Sequence, residues 1–236
     1  CSSDLVMDGH GGYMNGSRYY GEDLPINTWY MKRFAGLSED GLSLWYYTDK
    51  ETNEEKTTTT YSTGDFYLCG DPNPDLYGGF GTSITFHGFD LSTQFSYLVG
   101  GLTYDYGYAG MMGNPTATSV GNRWHKDVLK AWSPENPSST IPRWYFNDLN
   151  TTGSSDRFLI DGSYLNLQNI QVGYTLPDSW TSHLKIKNLR LYFVCDNVYY
   201  WSKRKGLDPR RSISGVGTSG KIAPFRTYSG GISLQF

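Results

Sequence analysis

No apolar run in the 236 residues reaches the ~18 that a transmembrane helix requires, which excludes helical membrane spans. Strands are not excluded, because a membrane-crossing strand needs only about 9–11 residues of alternating character. A basic excess is missing too. The formal charge is −3, so the sequence offers no electrostatic footprint for nucleic acid. Cysteine is scarce: Cys1, Cys69 and Cys195 are too few and too scattered for a disulfide scaffold or a Cys-x-x-Cys metal site. Cys1, followed by Ser-Ser-Asp, admits two readings. Either the chain happens to begin at a cysteine, or this is the lipidated first residue of a bacterial lipoprotein.

Catalytic signatures are also missing. His10, His87, His125 and His183 form no His-Glu-x-x-His and have no cysteine or carboxylate partners at ligand spacing, so no metal site is expected. No Gly-x-Ser-x-Gly elbow occurs. Asp71 and Asp75 belong to the turn-forming stretch Asp-Pro-Asn-Pro-Asp. The expectation is a non-enzyme without a cofactor. One stretch imitates a phosphate-binding loop, Gly215-Val-Gly-Thr-Ser-Gly-Lys221. Such a loop needs a strand before it and a helix after it. Here Ile222 stands where the metal-binding hydroxyl belongs, and Pro224 opposes a helix.

What the sequence does contain is glycine and aromatics: 28 Gly, 20 Tyr, 11 Phe and 7 Trp, with only 38% hydrophobic residues. That composition suits strands and turns. In 227–236 one face reads Tyr228, Gly230, Ile232, Leu234, Phe236 and the other Thr227, Ser229, Gly231, Ser233, Gln235, a period of two that defines a strand. Phe89–Val99 alternates likewise, and 80–86 joins it through His87-Gly88. Leu189–Asp196 is another strand. Over 163–176 the apolar parity changes midway, from Leu165 and Leu167 to Ile170, Val172 and Tyr174, which predicts a β-bulge. Weaker strands at 29–35 and 42–47 flank Gly36–Gly41. The total is about seven strands, with short and long connections alternating, the asymmetry of an outer-membrane barrel. Within the long connection 109–159, Trp124, Val128 and Trp132 at i, i+4, i+8 predict a short helix ended by Ser133-Pro134. Its aromatic stripe is read as packing.

Four blocks, RWHKDVLKAWSPENPSSTIPR (123–143), SSDRFLIDGSYLNLQNIQVGYTLP (154–177), LRLYFVCDNVYYWSKRKGLDP (189–209) and RTYSGGISLQF (226–236), resemble the last third of SusC-like TonB-dependent transporters. These are outer-membrane nutrient importers of Bacteroidetes. The resemblance covers 76–236 well and 21–50 loosely. It implies an all-β fold: residues 1–236 as the C-terminal portion of a transmembrane antiparallel β-barrel, ~22-stranded with a plugged lumen. The plug and the TonB box are expected outside this chain. The implied partners are the remainder of the transporter, a SusD-like lipoprotein lid, TonB, outer-membrane lipid and an oligosaccharide or peptide solute.

On that reading the final strand ends in the periplasm, and 203–224 lies outside the cell. The basic cluster Lys203, Arg204, Lys205, Arg210 and Arg211 there is read as a solvated loop, with an anionic nutrient, lipopolysaccharide phosphates or the lid as alternative contacts. Asp90, Gln94, Arg190, Tyr192, Asp196 and Gln235 fall on strand faces turned from lipid, where they meet plug or solute. Tyr106, Trp144 and Tyr145 are external-loop candidates for stacking on sugar. Phe236 is the terminal aromatic expected in barrel assembly. The function so implied is energised import of glycan, or of peptide. Two rivals stand beside it: a small complete porin or adhesin barrel, and a surface glycan-binding lipoprotein keyed to Cys1.

Overall fold

The computed structural model describes residues 11–117, 123–148, 150, 153–181, 186–204, 208, 210, 215 and 224–235. Cys1, Lys221 and Phe236 lie outside them, as does most of the glycine-rich loop. The first strands are β1 (Tyr13–Asn15), β2 (Arg18–Tyr20), β3 (Thr28–Lys32), β4 (Phe34–Leu37), β5 (Ser43–Thr48), β6 (Glu55–Thr58) and β7 (Phe66–Leu68). They are followed by β8 (Leu76–Phe86), β9 (Phe89–Val99), β10 (Leu102–Tyr104), β11 (Leu159–Asp161), β12 (Tyr164–Thr175), β13 (Asn188–Ser202) and β14 (Thr227–Gln235). Two compact units divide the chain. Unit 1 comprises Cys1–Asn73, Gly101–Asp161 and Arg211–Gly220; unit 2 comprises Pro74–Gly100, Gly162–Arg210 and Lys221–Phe236.

Unit 2 is one antiparallel sheet in the order β14-β13-β12-β9-β8. Its strands hold 11, 11, 12, 15 and 9 residues for β8, β9, β12, β13 and β14, long enough to cross a hydrocarbon layer when tilted. The β8–β9 hairpin turns on His87 (φ 47°) and Gly88 (φ 84°). Two successive positive φ angles give the twist that antiparallel strands favour. The bulge lies where the parity change put it: β12 slips register between Leu167 and Asn169 against both neighbours. On β13 the slip is absorbed beside Asn197, which adopts φ 51°. Five of the seven expected strands thus form this sheet. The other two pair elsewhere, because Arg33 separates β3 from β4 and each joins a different small sheet.

The register sorts the sheet into two faces. On one, Ile84, Leu91, Val172, Phe193 and Gly230 form a row, and Phe86, Phe89, Tyr174, Leu191 and Ile232 form the next. On the other, Thr85, Asp90, Gly173, Tyr192 and Gly231 are aligned, as are Gly81, Gln94, Asn169, Asp196 and Thr227. The apolar face is open: Phe80, Ile84, Phe86, Phe89, Phe193, Ile232 and Leu234 are all more than half exposed or close to it. Stacked Phe80 and Phe95 rings (4.8 Å) bind its cross-strand pairs. Outer edges β8 and β14 find no further strand among the described residues, so the sheet does not close on itself. At one end the strands are joined by the two-residue turn and by 176–187; all the long connections leave from the other end.

Unit 1 builds its own core from Trp29, Met31, Tyr104, Met112 and Phe158. The Trp29 indole donates to Leu102 O (3.1 Å), which satisfies its N–H inside that core. Sheets β1-β2-β3-β7, β4-β5-β6 and β10-β11 surround it. Lys32 is 4% exposed, and its ammonium donates to the carbonyls of Tyr61, Ser62 and Gly64 at 2.7, 3.1 and 2.5 Å. A buried cation is tolerated here because each donor has an acceptor. The expected helix at 122–132 is instead a 3-10 turn, Lys126–Lys130. His125 Nδ1 accepts from Asp127 N–H at its start, and Ser139 donates to Lys130 O at its end (2.6 Å). With three residues per turn, Trp124, Val128 and Trp132 cannot share a face. Val128 packs on the core, while Trp124 and Trp132 lie beyond the turn's ends.

Candidate functional site

The six polar candidates of the long strands all lie on the polar face of unit 2, and three of them, Asp90, Arg190 and Tyr192, are engaged with one another. Arg190 donates from Nε to Asp90 Oδ1 (2.9 Å) and from Nη2 to Asp90 Oδ2 (2.5 Å). The pair spans β12, since β9 and β13 are not neighbours. It passes over Gly173, where a Cβ would lie 2.4 Å from Asp90 Oδ1 and 2.5 Å from Arg190 Nη2. Tyr192 lies in the same way over Gly231, where a Cβ would be 2.4 Å from its ring. The Arg190 guanidinium sits 5.3 Å from the Tyr192 ring. Asn169 donates to Asp196 Oδ1 at 2.7 Å. Gln94 and Gln235 are exposed.

Sequence reading left Arg190 and Asp196 to find partners in a plug; here Arg190 holds Asp90 and Asp196 accepts from Asn169. The physical reason is reach. A long guanidinium over a glycine crosses two strand spacings, about 9–10 Å. The glycine parity that marks Gly173 was visible in the sequence, but the pairing of β9 and β13 to a common strand was not.

A second correction concerns the basic cluster. Arg210 is not solvated: it donates to Asp208 through Nε and Nη2 (both 2.8 Å) and through Nη1 to Asn166 Oδ1 (2.7 Å). Its guanidinium also lies 4.7 Å from the Tyr200 ring. Asp208 and Asn166 are buried, at 5% and 4% exposure. Asn166 and Tyr200 belong to the polar face, so the segment after β13 is tied onto that face. Hydrogen bonding to Asp208 raises the Arg210 pKa further above its ordinary value.

Unit 1 carries two aromatic surfaces. Tyr19, Gly21, Glu22, Leu24, Tyr30, Phe66, Tyr67 and Leu68 line a groove of about 450 Å³. Its rings are fixed by Tyr19–Tyr30 (5.1 Å) and stacked Tyr30–Phe66 (5.4 Å) contacts. Nothing in the sequence singled this groove out, because its residues come from three short strands and a turn. The second surface holds Trp124 and Trp144, perpendicular at 5.5 Å, with both indoles donating to Gly113 O. Tyr145 and Phe146 beside them are 63% and 61% exposed. Of the three external-loop candidates, Trp144 and Tyr145 are therefore together and open. Tyr106 is not: it packs on the core, 4.4 Å from Tyr104.

A long antiparallel sheet with one open apolar face and one polar face is what lipid on one side and water on the other demand. No family model matches the sequence. The chain is 29% identical over 235 residues to TonB-dependent receptor P3 of Formosa agariphila, covering 95% of this chain and 22% of that receptor. It is 27% identical over 180 residues to TonB-dependent receptor SusC of Bacteroides thetaiotaomicron, covering 75% and 17%. The structure of the RagAB peptide transporter superposes with a TM-score of 0.78 at 25% identity, over 96% of this chain and 25% of that one. The chain matches the fold of part of the β-barrel of outer-membrane TonB-dependent receptors. Within that class it is similar to SusC and to the RagAB transporter. The chain spans about a sixth to a quarter of the length of these relatives.

Proposed function

We propose that this chain forms the C-terminal part of the barrel of a TonB-energised importer that takes up glycan nutrients with a SusD-like lipoprotein as its lid. The two-faced sheet of unit 2 carries this reading. Its apolar face meets lipid, and its polar face, cross-linked by Asp90–Arg190 and Asn169–Asp196, lines the lumen or abuts a plug. Solute is captured on the aromatic surfaces of unit 1, and a pull from TonB opens the plug. No covalent chemistry is needed.

Flat, exposed rings at Trp144 and Tyr145 and in the Tyr30–Phe66 groove favour sugar faces. A peptide solute is the second reading, favoured by the likeness to a transporter described as importing peptides. The groove's Glu22 beside apolar rings suits a basic or apolar peptide side chain as well.

Uptake of a fluorescent oligosaccharide and of a fluorescent oligopeptide, in cells carrying the full transporter with and without TonB, tests both. TonB-dependent uptake of the first supports the glycan reading, and of the second the peptide reading. Uptake that survives TonB depletion refutes the importer. Lys221→Ala should leave uptake unchanged, since the glycine-rich loop takes no nucleotide in this reading.

A further inference from the structure

Arg157 differs from the other partly buried arginines described in unit 1. Arg18 lies over Trp29 and donates to Asn27 O at 2.5 Å, Arg33 reaches Glu55 at 3.3 Å, and Arg143 faces Asp148 at 3.9 Å. Arg157 has no hydrogen-bond acceptor or carboxylate partner among the described residues. Its guanidinium carbon sits 5.3 Å from the Phe34 ring and 5.1 Å from the Phe158 ring. The nearest carboxylate in sequence is turned away: Asp156 Oδ1 accepts from Phe34 N–H at 2.8 Å. That bond also fixes the Phe34 ring beside the guanidinium. The ionisable groups that influence Arg157 most are two phenols, Tyr108 and Tyr104, and burial draws its pKa down to about 10.

The two rings offset part of the cost of partly enclosing this charge. Arg157 is partly buried, and the rings leave its N–H fork without an acceptor among the described residues. The edge of a planar guanidinium offers two parallel N–H bonds that match the two oxygens of a carboxylate.

We propose that Arg157 is the recognition point for a carboxylate supplied from outside the described residues of this chain. Two sources carry that group. One is an acidic solute, a uronate sugar or the end of a peptide, which rests on the importer reading. The other is a fixed Asp or Glu in the rest of the transporter, since this chain spans about a quarter of the RagAB chain it resembles, and it does not depend on what is imported.

The test uses the purified full transporter and needs no transport assay. Phenylglyoxal modification of Arg157 is followed by peptide mass spectrometry with and without acetate, and thermal unfolding is compared for wild type, Arg157→Met and Arg157→Lys. For a solute site, acetate at about ten times its Kd slows modification about tenfold. For a fixed partner, Arg157 resists modification with or without acetate. Arg157→Met then unfolds several degrees earlier, because a carboxylate is left buried alone, while Arg157→Lys retains part of the stability. Modification at equal rates with and without acetate overturns the proposal. So does an unreactive Arg157 whose replacement by Met leaves the unfolding temperature unchanged.

Discussion

The Asp90 carboxylate and the Arg190 guanidinium meet fork to fork across a strand that belongs to neither of them. Strand β12 separates their backbones, and the pair forms because Gly173 presents no side chain at the crossing. Both side chains are about a quarter exposed, so the coupling between them is about 1 kcal/mol. A double-mutant cycle with Asp90→Asn and Arg190→Gln, read as urea midpoints of the full transporter in vesicles, measures it. In a Gly173→Ala background the coupling falls to near zero, because the added methyl occupies the space of the bond. Full coupling in that background contradicts the crossing.

Neighbouring residues of β12 face opposite media. Val172 is 44% exposed in the apolar row with Leu91 and Phe193, whereas Gln171 is aligned with Ser92 and Val194 on the polar face. Val172→Arg is expected to cost about 2–4 kcal/mol of folding free energy in a bilayer, and Gln171→Arg much less. The folded fraction after refolding into lipid vesicles, read by heat-modifiable mobility, distinguishes them. Equal losses from both substitutions contradict the assignment of faces.

How much of this was legible beforehand follows from where the information sits. The period of two in 89–99 and 227–235 set the faces of β9 and β14, and the broken parity of 163–176 located the bulge at Gln168. These are local signals, and they held. The first four residues of β8, 76–79, were missed because Gly78 and Gly79 show no apolar alternation. They lie beneath Tyr97, the Phe95 carbonyl and Gln94 of β9, a reason that exists only once the strands are paired. Arg210 was misjudged on similar grounds. A run of basic residues reads as solvated until Asp208 and Asn166 are known to be buried beside it. The aromatic groove and Arg157 depend on residues brought together from distant segments, and no spacing encodes them.

Cys69 provides a prediction in pH. Its thiol is half-buried, donates to Tyr67 O at 3.3 Å, and is pushed by burial up to about 11. The thiolate is the reactive form, so alkylation by iodoacetamide should be negligible at pH 8 and rise only as pH climbs past 10. The linkage has the same sign. The neutral thiol favours the fold, and this contribution is present below the unfolded pKa of about 8.5 and lost as pH rises through the folded value. Peptide mapping of the alkylated protein at several pH values checks it. Rapid labelling of Cys69 at pH 8 contradicts the burial.

The contact of Arg210 with Asp208 and Asn166 leads to a prediction about the segment after β13. Asp208 and Arg210 side chains are 4% and 13% exposed, so removing one of them leaves the other charge less well matched in a buried place, at a cost of about 2 kcal/mol or more. The expense is local, because Asp208 and Arg210 lie outside the strands and the sheet pairing of β12 with β13 does not depend on them. Asp208→Asn should therefore leave the barrel folded while releasing the segment from the polar face. Arg210→Met should do the same, and Asn166→Ala to a lesser degree, since it removes one of the three hydrogen bonds. Limited trypsin digestion of the full transporter in detergent reads this directly through the rate of cleavage after Lys203 and Arg204. At equal protease the rate should rise about tenfold or more in Asp208→Asn, the factor that ~1.4 kcal/mol of lost local stability produces. Lys203→Ala, which removes a charge outside the latch, should not speed cleavage after Arg204. Unchanged cleavage in Asp208→Asn would mean that the segment is held by other contacts and that the buried ion pair is incidental to its position.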